Sequence, residues 1–147
     1  MMKLSELIAA ARRARLKARA MHSGFKVGAA LQTRGGRVFG GCNVENSTYG
    51  LTVCAERVAV WKALSEGEGA FRRIAIVADS EVLTPPCGAC RQILWEYCGD
   101  IEIVLANLSG RTAKYRLSKL LPLPFDNRFL DVERPGSKKQ ITKAPRH

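Results

Sequence analysis

The chain has 147 residues, enough for one domain that buries roughly 68–70% of the surface its unfolded form exposes. An apolar share of 46% and a charged share of 25% are those of a soluble globular protein, and the longest apolar runs, such as Leu7 to Ala11 and Ile74 to Ala78, fall far short of the roughly 20 residues a membrane span needs. The net charge of +11 is uneven, with seven basic residues against Glu6 between Lys3 and Lys26 and five against Glu133 from there to His147.

Leu4, Leu7, Ile8 and Ala11 recur at helical spacing with Arg12, Arg13, Arg15, Lys17 and Arg19 on the other side, which predicts an amphipathic helix from about Ser5 to Ala20. The same Arg-rich, acid-poor stretch also reads as a mitochondrial presequence. Val27 to Thr33 and Arg37 to Cys42 are expected as the strands of a hairpin turning at Arg34-Gly35-Gly36, followed by a polar loop from Asn43 to Thr52. A second helix is expected from about Val53 to Glu66, ended by Gly67 and Gly69, and a buried strand from Arg73 to Ala78. Pro85-Pro86 breaks the chain before a third helix from about Gly88 to Tyr97, stopped near Gly99. Ile101 to Ala106 reads as another buried strand, Thr112 to Leu117 as an edge strand and Ser118 to Leu121 as a short helix. After Val132 the chain turns polar and basic, which favours a disordered tail over residues 133–147, leaving 1–132 as the domain. Strands alternating with helices predict a three-layer α/β/α fold, and the opening hairpin makes its roughly five-stranded sheet mixed.

Five cysteines, an odd number with no secretory hydrophobic region, argue for a reducing compartment and a cytoplasmic protein. Cys42 and Cys98 stand alone and read as small buried hydrophobes. The other three do not. Cys54-Ala55-Glu56, answered by Pro86-Cys87-Gly88-Ala89-Cys90, offers three thiolates where zinc takes four ligands, together with a carboxylate not needed as a ligand. A protein that closes its zinc for structural purposes fills all four positions, and only Cys42 or Cys98 could do so here. A redox Cys-x-x-Cys would explain Cys87 and Cys90 but not Cys54-Ala55-Glu56. A first ligand, a Glu two residues on and then Pro-Cys-x-x-Cys is the order found in zinc deaminases, in which the Glu is the acid/base.

Both halves of this motif fall at expected helix N-termini, where backbone N–H groups and the positive end of the dipole favour thiolate. Three thiolates on a divalent ion leave one surplus negative charge, which Arg57, supplemented by Arg91, is placed to offset. The basic stripes could mark nucleic acid. No aromatic residues interleave with them as a stacking platform requires, so a solvated helix face and tail are expected instead.

The chain resembles the small homotetrameric cytidine deaminases over about Leu4 to Phe129. The likeness is carried by Val27-Gly28-Ala29-Ala30-Leu31, Gly41-Cys42-Asn43-Val44-Glu45-Asn46, Cys54-Ala55-Glu56-Arg57, Pro86-Cys87-Gly88-Ala89-Cys90-Arg91-Gln92, and Leu120-Leu121-Pro122 with Phe125. The resemblance implies zinc on Cys54, Cys87 and Cys90, Glu56 as acid/base, Asn43 with Glu45 on a ribose hydroxyl, and Phe25 stacked on the base. It further implies that the Ala55 backbone reads the pyrimidine edge, and that Ser47, Tyr49 and Phe125 complete pockets shared between subunits. Since it places the first helix inside the fold, it also sets the presequence reading aside. Met21-His22-Ser23 departs from the family's Pro-Tyr-Ser, and Ser47-Thr48 and the basic tail also depart from its pattern. The expected activity is hydrolysis of cytidine and 2′-deoxycytidine to uridine products in pyrimidine salvage. The alternatives are a modified, N4-substituted or blasticidin-like nucleoside as substrate, a polynucleotide deaminase, and a non-enzymatic zinc module.

Overall fold

Every residue of Val27–Thr33 (β1) is buried, and that double-sided burial fixes the layering, because an apolar strand hidden on both faces needs helices above and below it. The structure is a computed structural model that describes residues 2–130; the expected basic tail lies outside the described residues. The remaining strands are Val38–Cys42 (β2), Phe71–Ala78 (β3), Glu102–Asn107 (β4) and Thr112–Arg116 (β5). They form one sheet in the order β2-β1-β3-β4-β5. β1 pairs antiparallel with β2 and β3, β3 runs parallel to β4, and β4 is antiparallel to β5, so the sheet is mixed as expected.

Side chains alternate between two cores, as the period of two along a strand requires. On one face Ala30, Ala75, Val77, Val104 and Ala106 meet Leu7 and Ala11 of helix α1 (Leu4–Arg15). On the other, Ala29, Leu31, Ile74, Ile76, Ile103 and Leu105 meet α2 (Ala55–Ser65) and α3 (Gly88–Cys98), with Leu117 of the short α4 (Leu117–Leu120) closing the same core. None of the described helices is long and apolar enough to cross a membrane.

Two glycines let helices approach more closely than a side chain would allow. A Cβ on Gly28 would stand 2.0 Å from the Ala11 carbonyl oxygen of α1, and one on Gly41 would stand 2.4 Å from that of Ala55 at the start of α2. β2 is an outer strand of the sheet, and Lys62 of α2 reaches over it to donate to the Gly40 carbonyl at 2.6 Å.

The first helix stops at Arg15 rather than near Ala20. The backbone of Arg19 is taken by the loop after β2, donating to Asn43 O and accepting from Glu45 N, each at 2.9 Å. That loop is less irregular than its polarity suggests. Val44 and Val53 exchange both backbone hydrogen bonds at 2.9 Å, and Tyr49–Leu51 forms a 3-10 turn. Because Val53 is paired in this way, α2 begins two residues later than expected, and Cys54 becomes its N-cap. Leu117 starts α4 instead of ending β5, its N–H bonded to Ile101 O.

Candidate active site

The start of β1 and the ends of β2, β3 and β4 share one rim, where Gly28 pairs with Cys42, Val27 with Ala78, and Ala78 with Asn107. Sites in layered sheets collect beyond the carboxyl ends of strands. Both cysteine segments lie in the connections that leave this rim, after β2 and after β3. Cys54 and Cys87 are the N-caps of α2 and α3, both extended, with φ −71° and ψ 155° and with φ −65° and ψ 166°. Cys90 is fully buried in the first turn of α3. Gly41 positions the first of these caps, since only a residue without Cβ lets Ala55 settle onto β2.

The three sulfurs lie within 4.8 Å of one another, with Cys54 and Cys87 3.9 Å apart. A tetrahedral zinc with bonds of about 2.3 Å sets its sulfurs roughly 3.8 Å apart, so the donors fit that ion. Cys87 is exposed and Cys54 half-buried, which opens the cluster on one side. Cys42, at the end of β2, and Cys98, at the far end of α3, stand outside it. The structural-zinc alternative needed one of these two as fourth ligand. Burial alone pushes the Cys98 thiol up to about 12, the behaviour of an inert, hydrophobic cysteine.

Glu56 is 5% exposed, and its Oε2 lies 3.7 Å from the Cys90 sulfur. Burial, reinforced by the negative charge of Cys54, pushes its carboxyl up to about 7. Cys54 is pulled down to about 5, chiefly by the hydrogen bond from Cys90 and then by the guanidinium of Arg57. The Cys90 thiol moves up, because it donates to that thiolate and is buried near Glu56. A bound cation would add to this pull on Cys54, because metal binding draws the protons from its thiol ligands. Arg57 Nη2 stands 3.5 Å from the Cys54 sulfur, and its buried Nε–H finds no acceptor among the described residues, leaving a donor beside an anionic cluster. Three thiolates, a divalent ion and one guanidinium sum to zero.

Arg91 does not share this role. Its guanidinium holds two backbone carbonyls, Pro86 O from Nε and Leu120 O from Nη1, both at 2.7 Å, and so ties the cysteine loop to the C-terminal segment. Gln92 donates to Phe125 O at 2.7 Å and the Trp95 indole to Asp126 at 2.9 Å, which hold Phe125 in place. Sequence reading missed Trp95, whose position four residues after Arg91 on the same helical face was the available signal.

Asn43 is buried, and its amide spans the chain at the start of β1, accepting from Val27 N at 2.9 Å and donating to Phe25 O at 2.8 Å. Glu45 accepts from the backbone of His22 and Ser23 and from the Ser23 hydroxyl, which lower its carboxyl below the usual range. Asn43 and Glu45 therefore support the Phe25 loop. Met21 and the His22 side chain take no part in those bonds; the His22 ring instead meets Tyr49 edge-on at 5.6 Å. Phe25, Ser47, Tyr49 and Phe125 are exposed in the single chain, and Phe125 stacks on Phe129 at 5.6 Å. A cleft of about 700 Å³ between Arg34, Phe71, Trp95 and Arg116 lies at the opposite ends of β3 and β4, away from the sulfurs. Chemistry, rather than cavity size, locates the site.

Residues 1–106 match the family described as the cytidine and deoxycytidylate deaminase zinc-binding region. A cytidine deaminase of Sporosarcina psychrophila is 45% identical over 130 residues, covering 88% of this chain and 96% of that protein. The crystal structure of cytidine deaminase from Burkholderia pseudomallei superimposes with a TM-score of 0.83 at 48% identity, over 84% of this chain and all of that one. A blasticidin-S deaminase of Bacillus cereus is more distant, 32% identical over 107 residues, covering 67% of this chain and 76% of that protein. With its thiolate cluster shaped for zinc and a likeness that runs nearly the length of its relatives, the chain belongs to the cytidine deaminase family.

Proposed function

We propose that this chain hydrolyses the exocyclic amine of cytidine and 2′-deoxycytidine, releasing ammonia and the corresponding uridine, as a cytoplasmic enzyme of pyrimidine salvage. The observation that carries this reading is the buried Glu56 carboxylate beside three sulfurs that supply one ligand fewer than tetrahedral zinc takes. Cys54, Cys87 and Cys90 would hold the ion, with Arg57 offsetting the surplus charge. When bound, zinc supplies the acidity that makes water a nucleophile near neutral pH.

Glu56 then moves the protons. It takes one from the attacking water, gives it to the ring nitrogen next to the amine-bearing carbon, and returns a proton to the departing amine. A carboxyl pushed up to about 7 suits both directions of transfer, because a group whose pKa lies near the working pH is a competent base and a competent acid. Phe25 stacks on the base, Asn43 and Glu45 meet the sugar hydroxyl, and the Ala55 backbone with Glu56 reads the pyrimidine edge. Ser47, Tyr49 and Phe125 complete pockets shared across a homotetramer. The exposure of Tyr49 (75%) and Phe125 (59%) in the single chain supports that sharing. Five free cysteines suit a reducing cytoplasm.

Loss of the ultraviolet band of cytidine on incubation with zinc-replete protein tests the reading, and an unchanged band retires it. Cytidine is expected to outpace blasticidin-like and N4-substituted nucleosides on the same panel, in keeping with the lower identity to the blasticidin-S deaminase.

A further inference from the structure

Phe25 and Glu45 are distant in sequence yet meet through one hydroxyl. Ser23 Oγ donates to Glu45 Oε2 at 2.5 Å and accepts from the Phe25 N–H at 3.0 Å. The other carboxylate oxygen, Oε1, accepts from the backbone of His22 at 2.8 Å and of Ser23 at 3.0 Å. Gly24, with φ at +68°, makes the left-handed turn that brings the Phe25 N–H back to the serine. Asn43 fixes the far side of Phe25 through its carbonyl. Residues 21–26 are all exposed, so hydrogen bonds rather than core packing set the course of this loop.

We propose that Ser23 is a positioning residue whose hydroxyl couples the Glu45 carboxylate to the backbone of Phe25, presetting the ring and the carboxylate relative to each other before a nucleoside arrives. What the loop binds rests on the function proposed above; the clamp itself rests on the four bonds. A carboxylate offers about four lone-pair sites. The three donors from His22 and Ser23 fill three, leaving one on Oε2, beside the serine hydroxyl, for a ligand hydroxyl. Bonds to an ionised acceptor are among the stronger ones. Losing this one would release Glu45 Oε2 and the Phe25 N–H from each other, leaving Glu45 tied to the loop only by the His22 and Ser23 N–H groups, which weakens binding but leaves proton transfer by Glu56 on α2 untouched. The departures at Met21 and His22 leave the clamp whole, because His22 enters only through its backbone.

The test uses Ser23→Ala and Ser23→Thr in the full-length, zinc-loaded protein. Ser23→Ala is expected to raise KM for cytidine about tenfold, with kcat within about twofold and zinc retained. Ser23→Thr keeps the hydroxyl and is expected to restore KM to within about threefold. In hydrogen exchange, the Phe25 amide should lose protection by about tenfold in Ser23→Ala while amides of α2 do not change. An unchanged KM in Ser23→Ala, a Thr variant as impaired as the Ala variant, or zinc lost together with affinity would each overturn the proposal. Exchange needs no substrate, so it separates the two readings. Faster Phe25 exchange in a protein inert towards cytidine would sink the function and keep the clamp, whereas unchanged exchange in an active protein would sink the clamp alone.

Discussion

The two faces of the sheet admit helices by the same device and use them differently. α1 rests on Gly28 and α2 on Gly41, each closer than a Cβ permits. At the shared rim, however, α1 arrives by its C-terminal turn, which carries Arg12, Arg13 and Arg15, whereas α2 and α3 arrive by their N-termini, which carry Cys54 and Cys87. A helix N-terminus favours anions and a C-terminus favours cations. The polarity of the chain at the rim, more than the closeness of packing, therefore decides which face can hold thiolates. The α1 face covers a core, and the α2 and α3 face covers a core and carries the chemistry.

The largest effect that sharpens this comparison is chemical. Glu56→Ala should lower kcat by about 10²–10⁴-fold while zinc, measured by atomic absorption, stays at one per chain, because the residue moves protons without ligating. Loss of the metal in that variant would make Glu56 a structural part of the cluster. Next in size, Gly41→Ala puts a methyl group against the Ala55 carbonyl and the Ala59 N–H, both unyielding backbone. At about 3 kcal/mol of overpacking, melting should fall by roughly 6–12 °C. Because Cys54 leads this helix, zinc content and activity should fall together.

Gly28→Ala is the matched control on the other face. Its clash with α1 is at least as severe, so a similar fall in melting temperature is expected, with zinc and kcat kept in the protein that remains folded. Equal zinc loss in the two variants would erase the distinction between the faces. The smallest effect is at the exposed Arg12, where Arg12→Gln should shift melting by no more than about 1–2 °C and leave kcat alone, as surface substitutions generally do.

Much of this was legible in the residues. The periodicity of Leu4, Leu7 and Ala11, the hairpin of β1 and β2, the buried run from Ile74 to Ala78 in β3, and the glycine stop after α3 each follow from local chemistry, and all appear in the fold. The three sulfurs, far apart in the chain, come together as their motif order implied. What escaped was set by partners distant in sequence. The end of α1 depends on Arg19 pairing with the strand-like segment after β2, and the start of α2 on Val53 pairing with Val44, neither of which a local pattern reveals. The place of Arg91 beside Cys90 points to the sulfurs, yet its side chain leaves the cluster to hold Pro86 and Leu120. Ser23 gave no signal of its own, because its function depends on Glu45 crossing to meet it.

The glycine pair in β2 has a cost at the margin of the sheet. Gly41 makes room for α2, but together with Gly40 it also strips the outermost strand of bulk, and a bare rim of peptide groups is a template for stray extended chains. The incoming helix brings its own remedy, since Lys62 lays a positive charge over the Gly40 carbonyl. The helix capped by Cys54 thus also covers a carbonyl on the outermost strand of the folded sheet.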